Sequence, residues 1–301
     1  MKSIYAIMFA GLALLAMSSC SDTTEMTPYE LTTKTEFGKR MIESGVVGSV
    51  HTDSMTTVAD GVRELYIHFL SLDGYATRAY VYEVDMNKTD IDIKVCTANN
   101  YNTTVFSKQP LSEQALFVEA EGNTVLGGIN GDYFVASGRP KGILVKDGKV
   151  IKKYSRKAEL PYFGIEKNKK AVIGSEIDLR ENGMENLRDA VGGRDWLVQG
   201  GNVMPQVVPI REAKTAVGLT ADGRVIMFVV DGGLFYYSNG LLLADVAKIM
   251  MHLGCTESIS LSSGASSTFL SRITGKIALR NIPSNNMIED AVSNGLLIIK
   301  K

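Results

Sequence analysis

The residues richest in chemical potential lie between Glu257 and Phe269, where Glu-Ser-Ile-Ser-Leu-Ser-Ser-Gly-Ala-Ser-Ser-Thr-Phe follows an apolar-striped helical segment. This stretch reads as a buried strand running into a turn of small hydroxyl residues. Ser266 and Thr268, with Thr215 upstream, can donate hydrogen bonds to a sugar or a phosphate, and the amides around Gly264 can form an anion nest. The plain alternative is a small-residue turn packed tightly against a neighbouring strand. Ser266 is not in a Gly-x-Ser-x-Gly elbow, because the second glycine is missing. The three histidines, His51, His68 and His252, lack metal-ligand spacing and read as linker, strand and helix-end residues. Zinc and Ser-His chemistry are therefore set aside, and no metal or cofactor is demanded. Asp231 closes an apolar strand ahead of Gly232-Gly233, a place for a functional side chain or for a turn residue. Trp196, the sole tryptophan, can stack on a sugar face or serve as a core or rim aromatic, and Arg194 and Asp195 beside it are ligand-binding candidates.

A strand-rich frame must position these groups. Tyr80, Tyr82, Val84 and Met86 share one face of an alternating run. Ile91, Ile93 and Val95 alternate with Asp90, Asp92 and Lys94, and the turn between the two runs predicts a hairpin or meander. Residues 112–121 read as a short helix with Ser112 as N-cap and Gly122 as its stop. Asp147-Gly148 and Asp222-Gly223 mark hairpin turns. Leu242, Val246, Ile249, Met250 and Leu253 fall on one helical face, with Ser238 or Asn239 as the expected cap and Gly254 as the end. Strands outnumber helices without regular alternation, which predicts an α+β fold: a strand-rich mixed sheet domain with a few packed helices.

Charge is balanced, 32 basic against 33 acidic residues, with no basic block, so nucleic acid is excluded as an expected partner. Lys2 and the apolar run from Ile4 to Met17 form an export signal too short to span a bilayer comfortably. Met17-Ser-Ser-Cys20 then reads as a lipoprotein cleavage site; in a plain secretory signal the cysteine would be incidental. The expected organisation is a signal peptide over 1–19, a tether over 20–45 and a functional domain over 46–301. A lipid on Cys20 would make the membrane a partner and the cell envelope the location, on the periplasmic face or the cell surface. Cys96 and Cys255 both sit in apolar settings and are expected as free buried thiols.

Six stretches and one patterned helix occur in a characteristic order. Ile129-Asn-Gly-Asp-Tyr-Phe134 is followed by Gly142-Ile-Leu-Val, Lys214-Thr-Ala-Val-Gly218 and Phe228-Val-Val-Asp-Gly232. The patterned helix and the 260–269 loop come next, and the chain closes with Ile288-Glu-Asp-Ala-Val-Ser-Asn-Gly-Leu-Leu-Ile298. This series resembles the phosphodiester glycosidase family from roughly Gly61 onward, most strongly from Ile129. The resemblance implies a carbohydrate or sugar-phosphate ligand. It points to Asp132, Asp231 and Glu289 as catalytic carboxylates, and to Asn130, Lys214, Thr215, Ser262, Gly264, Ser266 and Thr268 as substrate contacts, joined by Arg194 and Trp196. For Asn130 and Asp132 a glycine-centred turn is the alternative.

Three positions depart from the family pattern. Its loop reads Asn-Leu-Asp-Gly-Gly-Gly-Ser-Ser-Thr, so Ser262 stands where the aspartate is expected. Lys214 replaces an arginine, keeping charge but losing the forked geometry suited to phosphate, and Asp290 replaces a second arginine. Glycoside cleavage usually uses paired carboxylates, each acid–base contact contributing about 10²–10⁴ in rate. Two readings follow: an exported lipoprotein hydrolysing a sugar-1-phosphodiester or related glycoside, or a catalytically impaired homologue acting as a glycan-binding surface protein. A structural component of the envelope is a third, supported only by the anchor.

Overall fold

A computed structural model describes residues 33–154 and 159–301. The signal segment, Cys20 and the first part of the expected tether lie outside the described residues. Helix α1 (Glu36–Glu43) precedes strands β1 (Val47–Ala59), β2 (Val62–Ser71), β3 (Ala76–Asp85) and β4 (Ile91–Thr97). A short β5 (Gln109–Pro110), helix α2 (Leu111–Ala120) and β6 (Thr124–Asn130) follow. Next come β7 (Leu144–Lys146), β8 (Lys149–Lys152), β9 (Pro161–Glu166), β10 (Ala171–Ser175), α3 (Glu176–Asn182) and β11 (Leu187–Gly192). The pairs β12 (Trp196–Gln199) with β13 (Asn202–Val203), and β14 (Lys214–Thr220) with β15 (Arg224–Val230), lead to α4 (Leu243–His252). The chain ends with β16 (Cys255–Ser260), β17 (Phe269–Ile273), β18 (Lys276–Leu279), β19 (Ala291–Val292) and β20 (Asn294–Lys300).

The large sheet runs β1-β2-β3-β15-β14-β16-β12-β13; two five-stranded sheets run β10-β9-β11-β7-β8 and β18-β17-β6-β20-β4. The α+β class is as expected. The sheets are not mixed, however: every strand pairing among the described residues is antiparallel, β15 against β3 and β14 against β16 included.

Period-two alternation decides the layering. In β15, Ile226, Phe228 and Val230 join α4 residues Val246, Ile249 and Met250 in one core cluster. Their neighbours Val225, Met227 and Val229 point the other way and meet Ile93, Ile129, Phe163 and Leu296 from the smaller sheets. Each such fully buried side chain contributes about 1.5–3 kcal/mol. In β20 the same alternation sends Leu296 and Ile298 inward, while Leu297 and Ile299 pack under Leu111, Ala115 and Val118 of α2. The order is therefore helix, large sheet, small sheets, helix.

Three local expectations need correction. Residues 36–45 are not tether: Thr35 caps α1 by accepting from Gly38 N, and Phe37 and Met41 are buried in the core. Asp53 pins that start, accepting from the backbone of Lys34 and Thr35 and from the Thr35 hydroxyl at 2.6 Å. Only Phe37, Met41 and the half-buried Ile42 do the packing, so the polar surroundings hid the helix. His51 likewise lies in β1 rather than a linker, its ring 4.8 Å from that of His68. Helix α4 begins at Leu243, so the N-cap is Leu242 and has no side-chain bond; Ser238 and Asn239 lie upstream and bond Asp231 O and Phe235 O instead. Cys96 and Cys255 are free and buried, as expected.

Candidate active site

The site is built where β14 begins and β15 ends, with Lys214 paired to Val230. Beyond β15, Gly232 has to be glycine: a Cβ there would come within 2.2 Å of the Ala213 nitrogen. That close approach brings the 212–214 segment against the 260–269 loop, where Gly264 N donates to Ala213 O at 2.9 Å. Gly264 has φ +68°, a left-handed conformation that favours glycine.

Asn130 ties the loop down. Its Nδ2 donates to Ser262 O at 2.7 Å, and its Oδ1 accepts from Thr215 Oγ1 at 2.8 Å and Thr268 N at 3.0 Å. Thr215 Oγ1 also lies 3.1 Å from Ser267 Oγ, and Thr268 Oγ1 donates to Ser266 O. Ser262 N donates to Gly131 O at 2.9 Å. Asn130, Thr215, Ser262, Ser266 and Thr268 are all buried, so their bonds run to one another and to backbone. Asn281, which sequence reasoning missed, completes the frame: Nδ2 donates to Asp231 Oδ1 at 3.0 Å and Ser267 O at 2.9 Å, while Oδ1 accepts from Phe269 N.

The three expected catalytic carboxylates do not meet at an open surface. Asp231 is 0 % exposed and both its oxygens accept from Ile282 N, at 3.2 and 3.1 Å; burial pushes its carboxyl up to about 6, against those hydrogen bonds. Asp132 is 1 % exposed, accepts from Gly142 N at 2.7 Å through Oδ2, and leaves Oδ1 without a partner among the described residues. Burial pushes it up to about 7, opposed by the Gly142 N–H and by Lys152. Glu289 is engaged at α2: its carboxylate accepts from Ser112 N at 2.9 Å and from the Ser112 hydroxyl, capping the helix. Burial raises it, with the Ser112 bonds opposing. Ser112 was expected to be the cap itself; α2 instead starts one residue earlier, at Leu111, and Ser112 is the group being capped.

A cleft of about 390 Å³ opens beside this frame, lined by Tyr133, Arg194, Asp195, Trp196, Glu212 and Lys214. Four sequence candidates, Arg194, Asp195, Trp196 and Lys214, thus come together. Ser260 delivers the first two: Arg194 N donates to Ser260 O, Asp195 N to Ser260 Oγ, and Ser260 Oγ to Asp195 Oδ2 at 3.1 Å. Arg194 lies over the Tyr133 ring, 5.5 Å from its centre, and Tyr133 OH bonds Ser263 Oγ at 3.2 Å. Lys214 Nζ donates to Glu212 Oε1 at 2.6 Å. Met204, Val207 and Ile210 supply an apolar wall. Glu212 and Tyr133 were missed. Glu212 was findable, since residues two apart on an extended chain share a face and Lys214 was already a candidate. Two cations, two aromatic rings and two carboxylates in one cleft can hold an anionic sugar derivative. Among the described residues no group of carboxylate, histidine and cysteine side chains is arranged to hold a metal ion.

Stacked antiparallel sheets with a polar cleft at the strand ends define the domain as α+β, with the sequence motifs gathered around the cleft. The phosphodiester glycosidase profile matches residues 123–299, and the chain belongs to that family. The mouse N-acetylglucosamine-1-phosphodiester alpha-N-acetylglucosaminidase is 26% identical over 162 residues, 47% of this chain and 31% of the mouse protein. The chain therefore spans about a third of that relative's length. The zebrafish catalytic domain of the same name, auto-inhibited by its pro-peptide, superposes with a TM-score of 0.64 at 21% identity, over 83% of this chain and 88% of that one. A Burkholderia pseudomallei protein reaches 0.62 at 11% identity, covering 84% and 97%, and a Synechocystis protein 0.61 at 11%, covering 83% and 64%. At these identities the structural likeness is one of fold.

Proposed function

We propose that this chain is an exported, lipid-anchored hydrolase of a sugar-1-phosphodiester or a closely related glycoside. The observation that carries the reading is the lining of the cleft. Trp196 and Tyr133 offer faces for a sugar ring, Lys214 and Arg194 offer cations for a phosphate, and Asp195 and Glu212 are carboxylates open to the same space. The name of the mouse relative makes an N-acetylglucosamine-1-phosphodiester the first substrate to try. Incubating the purified chain with that compound should release free sugar and a phosphate monoester; no release above a buffer control overturns the hydrolytic reading.

A second reading, a glycan-binding protein without turnover, is favoured by one specific observation. The residues expected to be catalytic, Asp132, Asp231 and Glu289, are engaged in the fold, and Ser262 carries no charge. Calorimetric titration with the free sugar phosphate separates the two, because binding without release supports only the second. The anchor rests on Cys20 and its flanking residues. Cys20→Ala should move the protein from the membrane fraction to the soluble fraction; unchanged membrane association contradicts the anchor.

A further inference from the structure

We propose that Glu212 is the catalytic base of the cleft, supplying from the segment before β14 the carboxylate that the 260–269 loop lacks at Ser262. This rests on the hydrolytic reading above. Asp132 and Asp231 are sealed inside the domain, whereas the Glu212 side chain is 41 % exposed in the cleft wall. Its Oε1 is held by Lys214, and its Oε2 accepts no hydrogen bond from the described residues. That oxygen lies against the bare face of Gly264, 3.5 Å from where a Cβ would stand, so the carboxylate meets the 260–269 loop directly. The backbone on which it rides is fixed. Glu212 pairs with Leu241 through N–H···O bonds of 3.4 and 3.2 Å, and Ala213 O accepts from Gly264 N. Asp195 reaches the same cleft with one oxygen taken by Ser260 and Arg194, but Glu212 is the carboxylate set against Gly264.

The chemistry balances with water as the only co-reactant. Glu212 Oε2 takes a proton from a water whose oxygen forms a bond to the anomeric carbon. The bond from that carbon to the phosphate oxygen breaks, its electron pair staying on the oxygen. The phosphate monoester leaves as a dianion and needs no proton in that step, because the second phosphate proton has a pKa near 6. Lys214 and Arg194 are placed to offset the added negative charge. The proton on Glu212 then passes to solvent. Direct attack by water inverts the anomeric centre.

The test uses the full chain and an N-acetylglucosamine-1-phosphodiester. Glu212→Gln retains an oxygen for Lys214, so kcat should fall by about 10²–10⁴ while KM and the melting temperature stay close to wild type. Formate should restore part of the activity of Glu212→Ala, which a purely structural residue would not show. The released sugar should first appear, by NMR, with inverted configuration. A wild type that hydrolyses and a Glu212→Gln variant with the same kcat overturn the assignment alone. Loss of activity in Glu212→Ala without formate rescue, or retention at the anomeric carbon, also overturns it. A wild type that releases no sugar overturns the hydrolytic reading and this assignment with it.

Discussion

Asn130 Oδ1 accepts the Thr215 hydroxyl at 2.8 Å, and through that bond β6 and β14, strands of two different sheets, are locked at the ends that carry the cleft. The other end of the same amide holds Ser262 O. Asn130→Ala removes three hydrogen bonds and strands a buried carbonyl and a buried amide, so it should cost about 2–4 kcal/mol. Urea unfolding measures this. A loss under about 0.5 kcal/mol, within the range of ordinary surface substitutions, would show that water replaces the amide without penalty.

Stability should fall as pH rises from about 4 to about 7. The Asp132 carboxyl is pushed from 3.8 up to about 7 and that of Asp231 from 3.8 up to about 6, both chiefly by burial. A raised folded-state value means that the fold binds the proton more tightly than the unfolded chain does. The stability from that difference is complete below pH 3.8 and is lost as pH climbs through about 6 to 7. Each tenfold difference in proton affinity is worth about 1.4 kcal/mol, so Asp132 alone accounts for up to about 4 kcal/mol. Asp132→Asn should flatten the dependence of unfolding free energy on pH between about 4 and 7. An unchanged slope in the variant contradicts this account.

Glu289 should matter to α2 and not to chemistry. Its bonds to Ser112 satisfy a free N–H of the helix start and place negative charge at the positive end of the helix. Glu289→Ala should therefore lower stability by about 1–2 kcal/mol, and Ser112→Ala should reproduce part of that loss. The rate of sugar release at 25 °C should be unchanged. A kcat reduced a hundredfold in a folded Glu289→Ala protein would return Glu289 to the catalytic set.

Lys214 should read the phosphate. Lys214→Met should weaken binding of a sugar phosphate about tenfold or more, and the difference should shrink as salt is raised, because the lost contribution is electrostatic. Trp196→Ala should weaken binding of the phosphate and of the neutral sugar alike, with little salt dependence. Calorimetric titrations at two ionic strengths check both. Equal salt dependence in the two variants would contradict the division of labour between them.

The fold was largely legible in the sequence because alternation is a local property. The apolar run closed by Asp231 announced a strand, and Asp147-Gly148 and Asp222-Gly223 do turn the hairpins β7–β8 and β14–β15. Antiparallel pairing throughout was not legible, since β15 beside β3 joins residues far apart in sequence. Within the site, Arg194, Asp195, Trp196 and Lys214 were found by residue type, and the structure gathers them. Asp132 and Glu289 were found the same way, but type alone did not report that Asp132 is buried or that Glu289 bonds Ser112. Glu212 escaped attention for the opposite reason: a glutamate before a strand looks like a solvated charge until Lys214 and Gly264 stand beside it.

The most direct measurement is the initial rate of sugar release from an N-acetylglucosamine-1-phosphodiester by the wild-type chain and by a Trp196→Ala, Lys214→Met double variant. The account predicts steady release by the wild type and a kcat/KM reduced about a hundredfold or more in the double variant, which loses two contacts of roughly tenfold each. Release that is absent in the wild type, or equally fast in both proteins, would contradict hydrolysis at this cleft.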